Sequence, residues 1–498
     1  MSAPQIDVAV AAPVLAPAVG AVLVLAVDAL APRRRLPAIL LAALALLVSL
    51  GTALALRVQA SGGGEVTTLC RPGDPAMSLT PPPGTQASEC LLRVSQSGAL
   101  LQALAGAAGL AVLVLLARQR GVPSLEDGTT HRPDGAVEAA LLLATVTGAC
   151  TVSVAHDLGT WLIGLELATL PIVALAVLRG GRDSGAMQLV TTSVASFAVA
   201  VVGAGLWVTA TGSLRLSGVA SWAAGQTGET RAVLTLAVVL LLAAVGFKLS
   251  LVPFHAWAPA TYPRAGLEVA MLLAGVSTVA AVGGLVAVTD GAASVRAAAT
   301  PAFGVLAVVS MIGGAVLALG ASDPLRLIAW SGVTQGGWIL APLVAGDTFA
   351  AVGYLAVYVV AVVAALAVVA ALSVDGPRRL DDDRGLLRRR PVHAAVLTLA
   401  LLTMAGLPPG VAGLLAKVMA LRPLATEGLW WVALPAVVAA VIGLAVYLRW
   451  VALVLQPGDE HRPPERTDRT ATVVAVVTGV VLLAATLVPV LLLGTGTP

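Results

Sequence analysis

Long apolar segments recur along the whole chain, and they limit its fold more than any other feature. A transmembrane helix needs about 20 mostly apolar residues. Only helices and closed barrels satisfy their backbone hydrogen bonds in lipid, and these segments lack the alternation of barrel strands. Of the 498 residues, 11% are charged, against about 25% in a soluble domain. The sequence predicts an all-α polytopic membrane protein and excludes a soluble enzyme or a nucleic-acid-binding protein.

Fourteen segments meet the length of a transmembrane helix. The first has no basic residue before its apolar run, so we expect a retained helix rather than a signal peptide. The predicted spans are 8–30, 36–57, 98–117, 136–155, 158–178, 186–210, 232–260, 267–289, 300–320, 325–344, 348–373, 392–422, 429–455 and 471–494.

The arginines indicate the orientation of these spans. The 29 basic residues include only two lysines, which leaves 27 arginines. With both termini outside, 20 arginines fall on the inner side and 7 on the outer side. Because loops on the inner side of a membrane carry an excess of basic residues, the sequence predicts a multi-pass protein of the cell (inner) membrane with both termini outside.

Two blocks of five spans have nearly the same length, residues 136–289 and 300–455. Because five is odd, the second block enters the membrane from the opposite side, as in the inverted repeats of many transporters. We expect three helices over 1–135, with an outer loop at 58–97, and a single C-terminal helix over 456–498.

The fourth helix of each block is too long for a straight span and contains helix breakers. The segment 232–260 has Pro253 and Pro259, and the segment 392–422 has Pro408 and Pro409. Proline removes a backbone hydrogen bond and clashes with the preceding turn. Broken helices at matching places in two repeats are the best sequence indication of an ion path.

The two lysines, Lys248 and Lys417, both lie in these broken segments. A buried lysine can release its proton, whereas arginine cannot in a protein. The lysines are therefore candidate proton carriers, with chance survival in an arginine-rich sequence as the alternative. Glu166, in span five, has no charged neighbour within a turn of its own helix, so its expected partner is Lys248. The pair is either a switch for proton transfer or a static link between helices.

Other polar residues leave alternatives open. Cys70 and Cys90 share the outer loop, where a disulfide is permitted, and they are either bonded or free. His255 follows Pro253 and is either a proton-uptake residue or a structural histidine. Glu138 and Glu268 are expected at the inner membrane interface. No metal-ligand spacing or phosphate-binding glycine loop occurs in the sequence, so we expect no metal or nucleotide on this chain.

Four motifs around these residues resemble the antiporter-like membrane subunits of respiratory complex I, the bacterial proton-translocating NADH–quinone oxidoreductase. The resemblance covers residues 136–455. Among these subunits, the chain most resembles subunit N, because a Tyr follows Pro-Ala-Thr and the C-terminal segment is short. The motifs are GLELATLP at 164–171, VGFKLSLVPFHAWAPATY at 245–262, LRLIAWSGVTQGGWIL at 325–340 and AGLPPGVAGLLAKV at 405–418.

The resemblance implies a proton-translocating role for Glu166, Lys248 and Lys417. It implies that FMN, iron–sulfur clusters and quinone bind to partner subunits and that no cofactor binds to this chain. The implied partners are other antiporter-like and small membrane subunits, together with lipid and protons. Three positions depart from the family pattern, because a usual Lys, His and Lys are replaced by neutral residues. Thr278 replaces the first Lys, Gln335 the His and Gln188 the second Lys. Thr278, its neighbour Ser277 and Gln335 remain candidate relay residues.

Two other functions remain open. One is a subunit of a multisubunit cation/proton antiporter, which has the same fold. The other is a membrane-arm subunit that no longer pumps and serves as a structural spacer. The neutral residues at 278 and 335 favour the spacer, whereas the retained Glu166 and the two lysines favour proton movement.

Overall fold

The protein is a bundle of long apolar helices. The computed structural model describes residues 7–30, 35–62, 64–71, 89–117, 122–123, 130–131, 135–180, 185–216, 228–374, 376–458 and 466–493. Residues 72–88 of the predicted outer loop, the ends of the chain, and Arg118, Arg120, Arg132, Arg182 and Arg462 of the predicted inner loops lie outside these ranges.

Thirteen spans in the described ranges are long and apolar enough to cross a membrane. They match the predicted spans one to eleven, thirteen and fourteen. Two shorter helices, Pro391–Ala405 and Val411–Thr426, occupy the place of predicted span twelve. The thirteen are Val8–Leu30, Arg35–Gln59, Gln96–Leu116, Gly135–Val152, Leu158–Arg179, Ala186–Thr211, Gly228–Lys248, Leu267–Gly291, Ala293–Leu319, Pro324–Val344, Thr348–Leu372, Trp430–Leu455 and Arg469–Leu487. The all-α polytopic membrane fold is thus confirmed.

Spans eight, ten and eleven form the centre of the bundle. Nearly all residues of these three helices are buried, whereas about two thirds of the residues in spans one, two, six and fourteen are not. Large apolar side chains such as Leu40, Val202 and Val480 cover these outer faces. A helix that is apolar all round is expected in the core of such a bundle, and an exposed apolar face is expected against lipid or another subunit.

Acidic side chains fix the start of several spans. Asp157 accepts from the Thr160 backbone N–H at 2.9 Å, and Asp347 accepts from that of Ala350 at 2.8 Å. Asp323 and Asp468 cap spans ten and fourteen in the same way. A carboxylate at this position satisfies N–H groups that have no partner within the helix.

Four spans are interrupted. Span five consists of Leu158–Leu167, here span 5a, and Leu170–Gly180, here span 5b. Span seven ends at Lys248, and the chain continues into a 3-10 turn at Phe254–Ala256 and a helix at Trp257–Ala265. Span eight consists of Leu267–Leu272, a π segment at Leu273–Ser277, and Thr278–Gly291. Span twelve consists of Pro391–Ala405, here span 12a, and Val411–Thr426, here span 12b.

The breaks in spans seven and twelve were predicted, and the break in span twelve lies at its predicted prolines, whereas that in span seven lies earlier than predicted. The prediction gave one bent helix over 232–260 with the bend at its prolines. The helix instead ends five residues before Pro253, because the chain turns at Ser250, which has a φ of 56°. Span 12a ends where Gly406, with a φ of 79°, donates its N–H to the carbonyl of Leu402. A left-handed glycine followed by prolines is a strong helix stop.

Shorter helices and strands lie in the connections. The strand Val66–Arg71 pairs antiparallel with Glu89–Val94, and Val122–Pro123 pairs with Thr130–His131. Short helices occur at Ala60–Gly62, Ala293–Val295, Leu380–Asp383, Leu386–Arg389 and Val490–Leu493.

A hairpin in the predicted outer loop, here named the outer hairpin, carries the disulfide. Cys70 and Cys90 face each other across the two strands and are bonded, which selects one of the two predicted alternatives. The backbone N–H of Asp7, at the start of span one, donates to Thr68 Oγ1 at 2.8 Å. Arg57, at the end of span two, donates to the carbonyl of Leu491 at 3.0 Å. The hairpin and both described ends of the chain therefore lie at the same face of the bundle.

Candidate functional site

Glu166 and Lys248 form an ion pair inside the bundle. Lys248 Nζ lies 3.0 Å from Glu166 Oε1 and donates to Thr169 Oγ1 at 2.8 Å. The two side chains are 6% and 15% exposed. The predicted partnership is therefore present, and Thr169 is an additional ligand of the ammonium group that sequence reasoning missed.

The break in span five brings Thr169 to the lysine. A continuous helix was predicted over 158–178, which the structure contradicts. Gly148 of span four packs against this break, because a Cβ there would lie against the backbone nitrogen of Ala168 and 2.6 Å from the carbonyl carbon of Leu167. Pro171 follows at the start of the second half, where proline is favoured. That proline was the sequence signal for the break.

Helix ends set the electrostatics of the pair. Lys248 is the last residue of its helix, and Glu166 lies in the last turn of span 5a. The C-terminal end of a helix carries a partial negative charge, which stabilises a cation and destabilises an anion. The two helix ends thus favour the charge on Lys248 and oppose the charge on Glu166.

Lys417 has a different set of partners. Its Nζ donates to the carbonyl of Ala405 at 2.6 Å and lies 5.4 Å from the ring centroid of Trp338. The residue is 8% exposed. Among the described residues no carboxylate is paired with it. A backbone carbonyl and an aromatic face provide partial negative charge for the ammonium group in place of an anion.

The two lysines occupy different positions along their broken helices. Lys248 precedes its break, whereas Lys417 lies in span 12b, after the break. They were predicted to be equivalent positions of the two repeats. They share one feature in space, which is that each ammonium group lies at the C-terminal end of the helix before the break. In span seven that helix ends at Lys248 itself, and in span twelve it ends at Ala405, which Lys417 contacts.

The candidate relay residues of span eight have separate roles in the structure. The hydroxyl of Thr278 donates to the carbonyl of Leu273 at 3.0 Å, a contact made possible by the π segment. Ser277 instead lines a small cavity together with Lys248. Ser277 and Lys248 therefore line the same cavity, whereas the hydroxyl of Thr278 is hydrogen-bonded within its own helix.

Gln335 lies in a buried network of hydroxyl groups. Its Oε1 accepts from Tyr354 at 2.6 Å, and its Nε2 donates to Tyr447 at 2.9 Å. The hydroxyls of Tyr447 and Ser331 are 2.6 Å apart. Either hydroxyl can be the donor of this bond. Tyr354, Tyr447 and Ser331 were not singled out in the sequence.

His255 lies at the turn after span seven. Its Nδ1 is buried with no hydrogen-bond partner among the described residues, and its ring centroid is 5.4 Å from that of Trp330. Proton uptake at His255 remains a prediction.

A second buried charge cluster joins spans four, five and eight. Arg179 Nε lies 2.6 Å from Glu138 Oε1, and Arg179 NH1 lies 3.1 Å from Glu268 Oε2. All three side chains are less than a tenth exposed. The expectation of interfacial carboxylates was incomplete, because each carboxylate is covered by the packed helix ends and paired with the guanidinium group. The carboxylates lie at helix N-termini and the arginine at a helix C-terminus, as the helix dipoles favour.

Within the described ranges, no group of three or more His, Cys, Asp or Glu side chains comes together to hold a metal ion.

Comparison with known proteins gives a consistent result. Residues 155–443 match the family described as "NADH:quinone oxidoreductase/Mrp antiporter, TM". The chain is 38% identical over 452 residues to NADH-quinone oxidoreductase subunit N of Salinispora tropica, which covers 87% of this chain and 82% of that protein.

Solved structures share the fold. A chain of respiratory complex I from Thermus thermophilus with bound aureothin superposes with a TM-score of 0.77 at 26% identity, over 97% of this chain and 98% of that chain. A chain of the Mrp complex from Dietzia sp. superposes with a TM-score of 0.79, over 98% of this chain and 96% of that chain. Its identity is 21%, so this second similarity shows the fold alone.

Proposed function

Because this chain belongs to the NADH:quinone oxidoreductase/Mrp antiporter transmembrane family, we propose that it moves protons across the membrane as one subunit of an NADH–quinone oxidoreductase. The expected resemblance to subunit N of complex I is confirmed, and with it membership of an enzyme complex. The observation that carries the mechanism is the buried pair of Lys248 and Glu166 at the ends of two half-helices.

Glu166 controls the charge of Lys248 in this mechanism. When the carboxylate is 3.0 Å away, it stabilises the ammonium form. Movement or protonation of Glu166 removes that stabilisation, while burial continues to disfavour the charge. Lys248 then gives up its proton, and the ion pair acts as a switch.

The proton passes from the first repeat to the second and leaves through Lys417. The proposed route passes Ser277, Thr278 and Gln335, none of which titrates near neutral pH. Transfer along this route therefore uses water molecules near these side chains. The direction is from the inner to the outer side.

Both termini lie on the outer side in this arrangement. The disulfide between Cys70 and Cys90 supports this orientation, because disulfides persist in oxidising compartments. The hairpin lies at the same face as both described ends of the chain, and the arginine bias independently supports an outer position for that face.

Electron transfer takes place in partner subunits. FMN, iron–sulfur clusters and quinone belong to those subunits, with quinone at the junction of the membrane and peripheral arms. The exposed apolar faces of the outer spans contact lipid and the neighbouring antiporter-like and small membrane subunits.

The test is proton pumping by the assembled complex in vesicles. We expect Lys248→Ala and Lys417→Ala each to lower the number of protons moved per NADH oxidised, with NADH oxidation by an artificial electron acceptor unchanged. The exposed Arg264→Ala is the control, since Arg264 bonds only to the carbonyl of Ala260 among the described residues. Full pumping in both lysine variants would contradict the mechanism.

A non-pumping spacer is the second candidate, and the Gln335 network favours it. Its hydroxyl and amide groups bond to one another and include no titratable group near neutral pH. A spacer predicts the same ratio of protons to electrons in the unmodified complex and in Lys417→Ala. A cation/proton antiporter subunit predicts sodium-dependent proton movement in the absence of NADH.

A further inference from the structure

A cavity of about 10 Å³ lies beside Lys248, between spans five, six, seven and eight. Its polar lining includes Thr169, Ser193, Lys248 and Ser277, and Phe247 and Leu273 supply apolar surface. A space of this size accommodates one water molecule, and a buried water needs two to four polar partners. The cavity has both the size and the polar groups of a water site.

Ser193 of span six is the most informative residue of this lining. It is 5% exposed, and its Oγ has no hydrogen-bond partner among the described residues. Its neighbours differ, because Thr192 donates to the carbonyl of Gln188 at 2.8 Å and Ser196 donates to that of Ala244 at 2.8 Å. A buried hydroxyl without a partner is costly, so Ser193 requires a partner from within the cavity.

Lys248 has a donor for the same partner. An ammonium group has three N–H bonds, and those of Lys248 to Glu166 and Thr169 account for two of them. The third has no acceptor among the described residues. Lys248 can therefore donate to a water in the cavity without leaving Glu166.

We propose that this cavity is a water site, and that Ser193 and Ser277 hold one water molecule against the ammonium group of Lys248. The inference deepens the proposed function and rests on it. The water accepts a proton from Nζ and forms a new O–H bond, while one of its original O–H bonds breaks and that proton forms an O–H bond with the next water of the proposed relay. Lys248 becomes neutral, and the water keeps its two protons. Ser193 is a positioning residue, since it acts through the water.

The site offers a role for the segment that holds Thr278, where the family resemblance implies a lysine. Ser277 lines the cavity, and the hydroxyl of Thr278 is bonded to the carbonyl of Leu273. A water held by two serines provides a proton acceptor next to Lys248 that does not add a second positive charge to the site.

The test uses the assembled complex, imaged by cryo-electron microscopy and assayed in vesicles. We expect density for one water between Ser193 and Lys248 in the unmodified complex, and its loss in Ser193→Ala. The contribution of this subunit to the protons moved per NADH should fall about fivefold in Ser193→Ala, the population change expected from the loss of one hydrogen bond. Oxidation of NADH by an artificial acceptor should remain unchanged.

Thr191→Val is the matched control, because Thr191 lies on the same helix outside the cavity lining and its hydroxyl donates to the carbonyl of Met187 at 2.8 Å. We expect its proton ratio to match that of the unmodified complex. Absence of the water density, a normal ratio in Ser193→Ala, or an equal fall in both variants would overturn the water site. Normal pumping in Lys248→Ala would instead overturn the proposed function, so the two failures are distinguishable.

Discussion

Lys417 Nζ donates to the backbone carbonyl of Ala405 at 2.6 Å and thereby joins the two halves of span twelve. The lysine is packed closely here, since a Cβ on Gly406 would lie 3.0 Å from its Cδ. Lys248 is held by a carboxylate, whereas Lys417 is held by a helix end. The contacts of the Lys417 ammonium group are therefore a backbone carbonyl and the ring of Trp338, with no acidic partner among the described residues.

Lys417→Arg separates charge from proton release. Arginine retains the positive charge but cannot release its proton in a protein. We expect the variant to assemble and to lose pumping to the same extent as Lys417→Ala, measured as protons moved per NADH. The thermal stability of the complex serves as the control for packing. Pumping at the unmodified level would indicate that position 417 contributes a fixed charge only.

Gly148→Ala should disturb the ion pair from a distance. A Cβ at 148 meets the backbone of the break in span five, so the break must shift and carry Glu166 and Thr169 with it. We expect lower pumping and a loss of about 1–3 kcal/mol in stability, the usual cost of overpacking. The control is Gly51→Ala in span two, where a Cβ would have no neighbour within 4 Å. Equal effects of the two substitutions would refute this explanation.

Arg179→Ala should destabilise the protein strongly. It leaves the carboxylates of Glu138 and Glu268 buried without their shared cation, a change that costs about 3–5 kcal/mol. The control is Arg384→Ala, because the pair of Arg384 and Asp381 is more than half exposed and such pairs contribute about 0–1 kcal/mol. Thermal unfolding of the complex measures both. Similar melting temperatures would show that the buried cluster adds little stability.

Acid should loosen the outer hairpin through His156, which lies in the turn before span five. Burial, and secondarily Arg93, hold the pKa of His156 below its usual range, while Glu65 and Asp157 act in the opposite direction. The folded state thus binds a proton less readily than the unfolded state. The stability contribution is full above about pH 6.5 and decreases as the pH falls below that value.

Hydrogen exchange of residues 89–94 measures this effect, because the backbone N–H of His156 donates to the carbonyl of Leu91 at 3.2 Å. After correction for the pH dependence of intrinsic amide exchange, we expect these residues to exchange faster at pH 5.5 than at pH 7.5. His156→Gln cannot titrate and should remove the difference. Persistence of the difference in that variant would assign it to another group.

Local sequence signals were sufficient for most of the architecture. Apolar length defined thirteen spans, and the Gly-Leu-Pro-Pro-Gly run defined the break in span twelve. Glu166 and Lys248 were paired correctly, because each was a rare charge in the same predicted repeat. These features depend on a residue and its close neighbours in sequence.

Features that depend on packing between distant spans were missed. Arg179 was assigned to an inner loop, and its two carboxylates come from spans four and eight, whose proximity no local pattern indicates. Thr169 and Ser193 have ordinary helical sequence contexts, so their position beside Lys248 became evident only from the three-dimensional structure. The early end of span seven depends on the positive φ of Ser250, which is uncommon for a residue other than glycine.

Gln335 fixes the direction of the hydrogen bonds in the buried network. Tyr354 donates to the amide oxygen of Gln335, and the amide nitrogen of Gln335 donates to Tyr447. Reversing these bonds would require the amide group to exchange its oxygen and nitrogen. Hydrogen bonding is continuous through the amide, but an amide does not take up and release protons as an imidazole does. In the proposed relay, protons therefore pass Gln335 through water rather than through its amide, and a second water-sized cavity, lined by Gln335, Tyr354 and Thr403, offers space for that water.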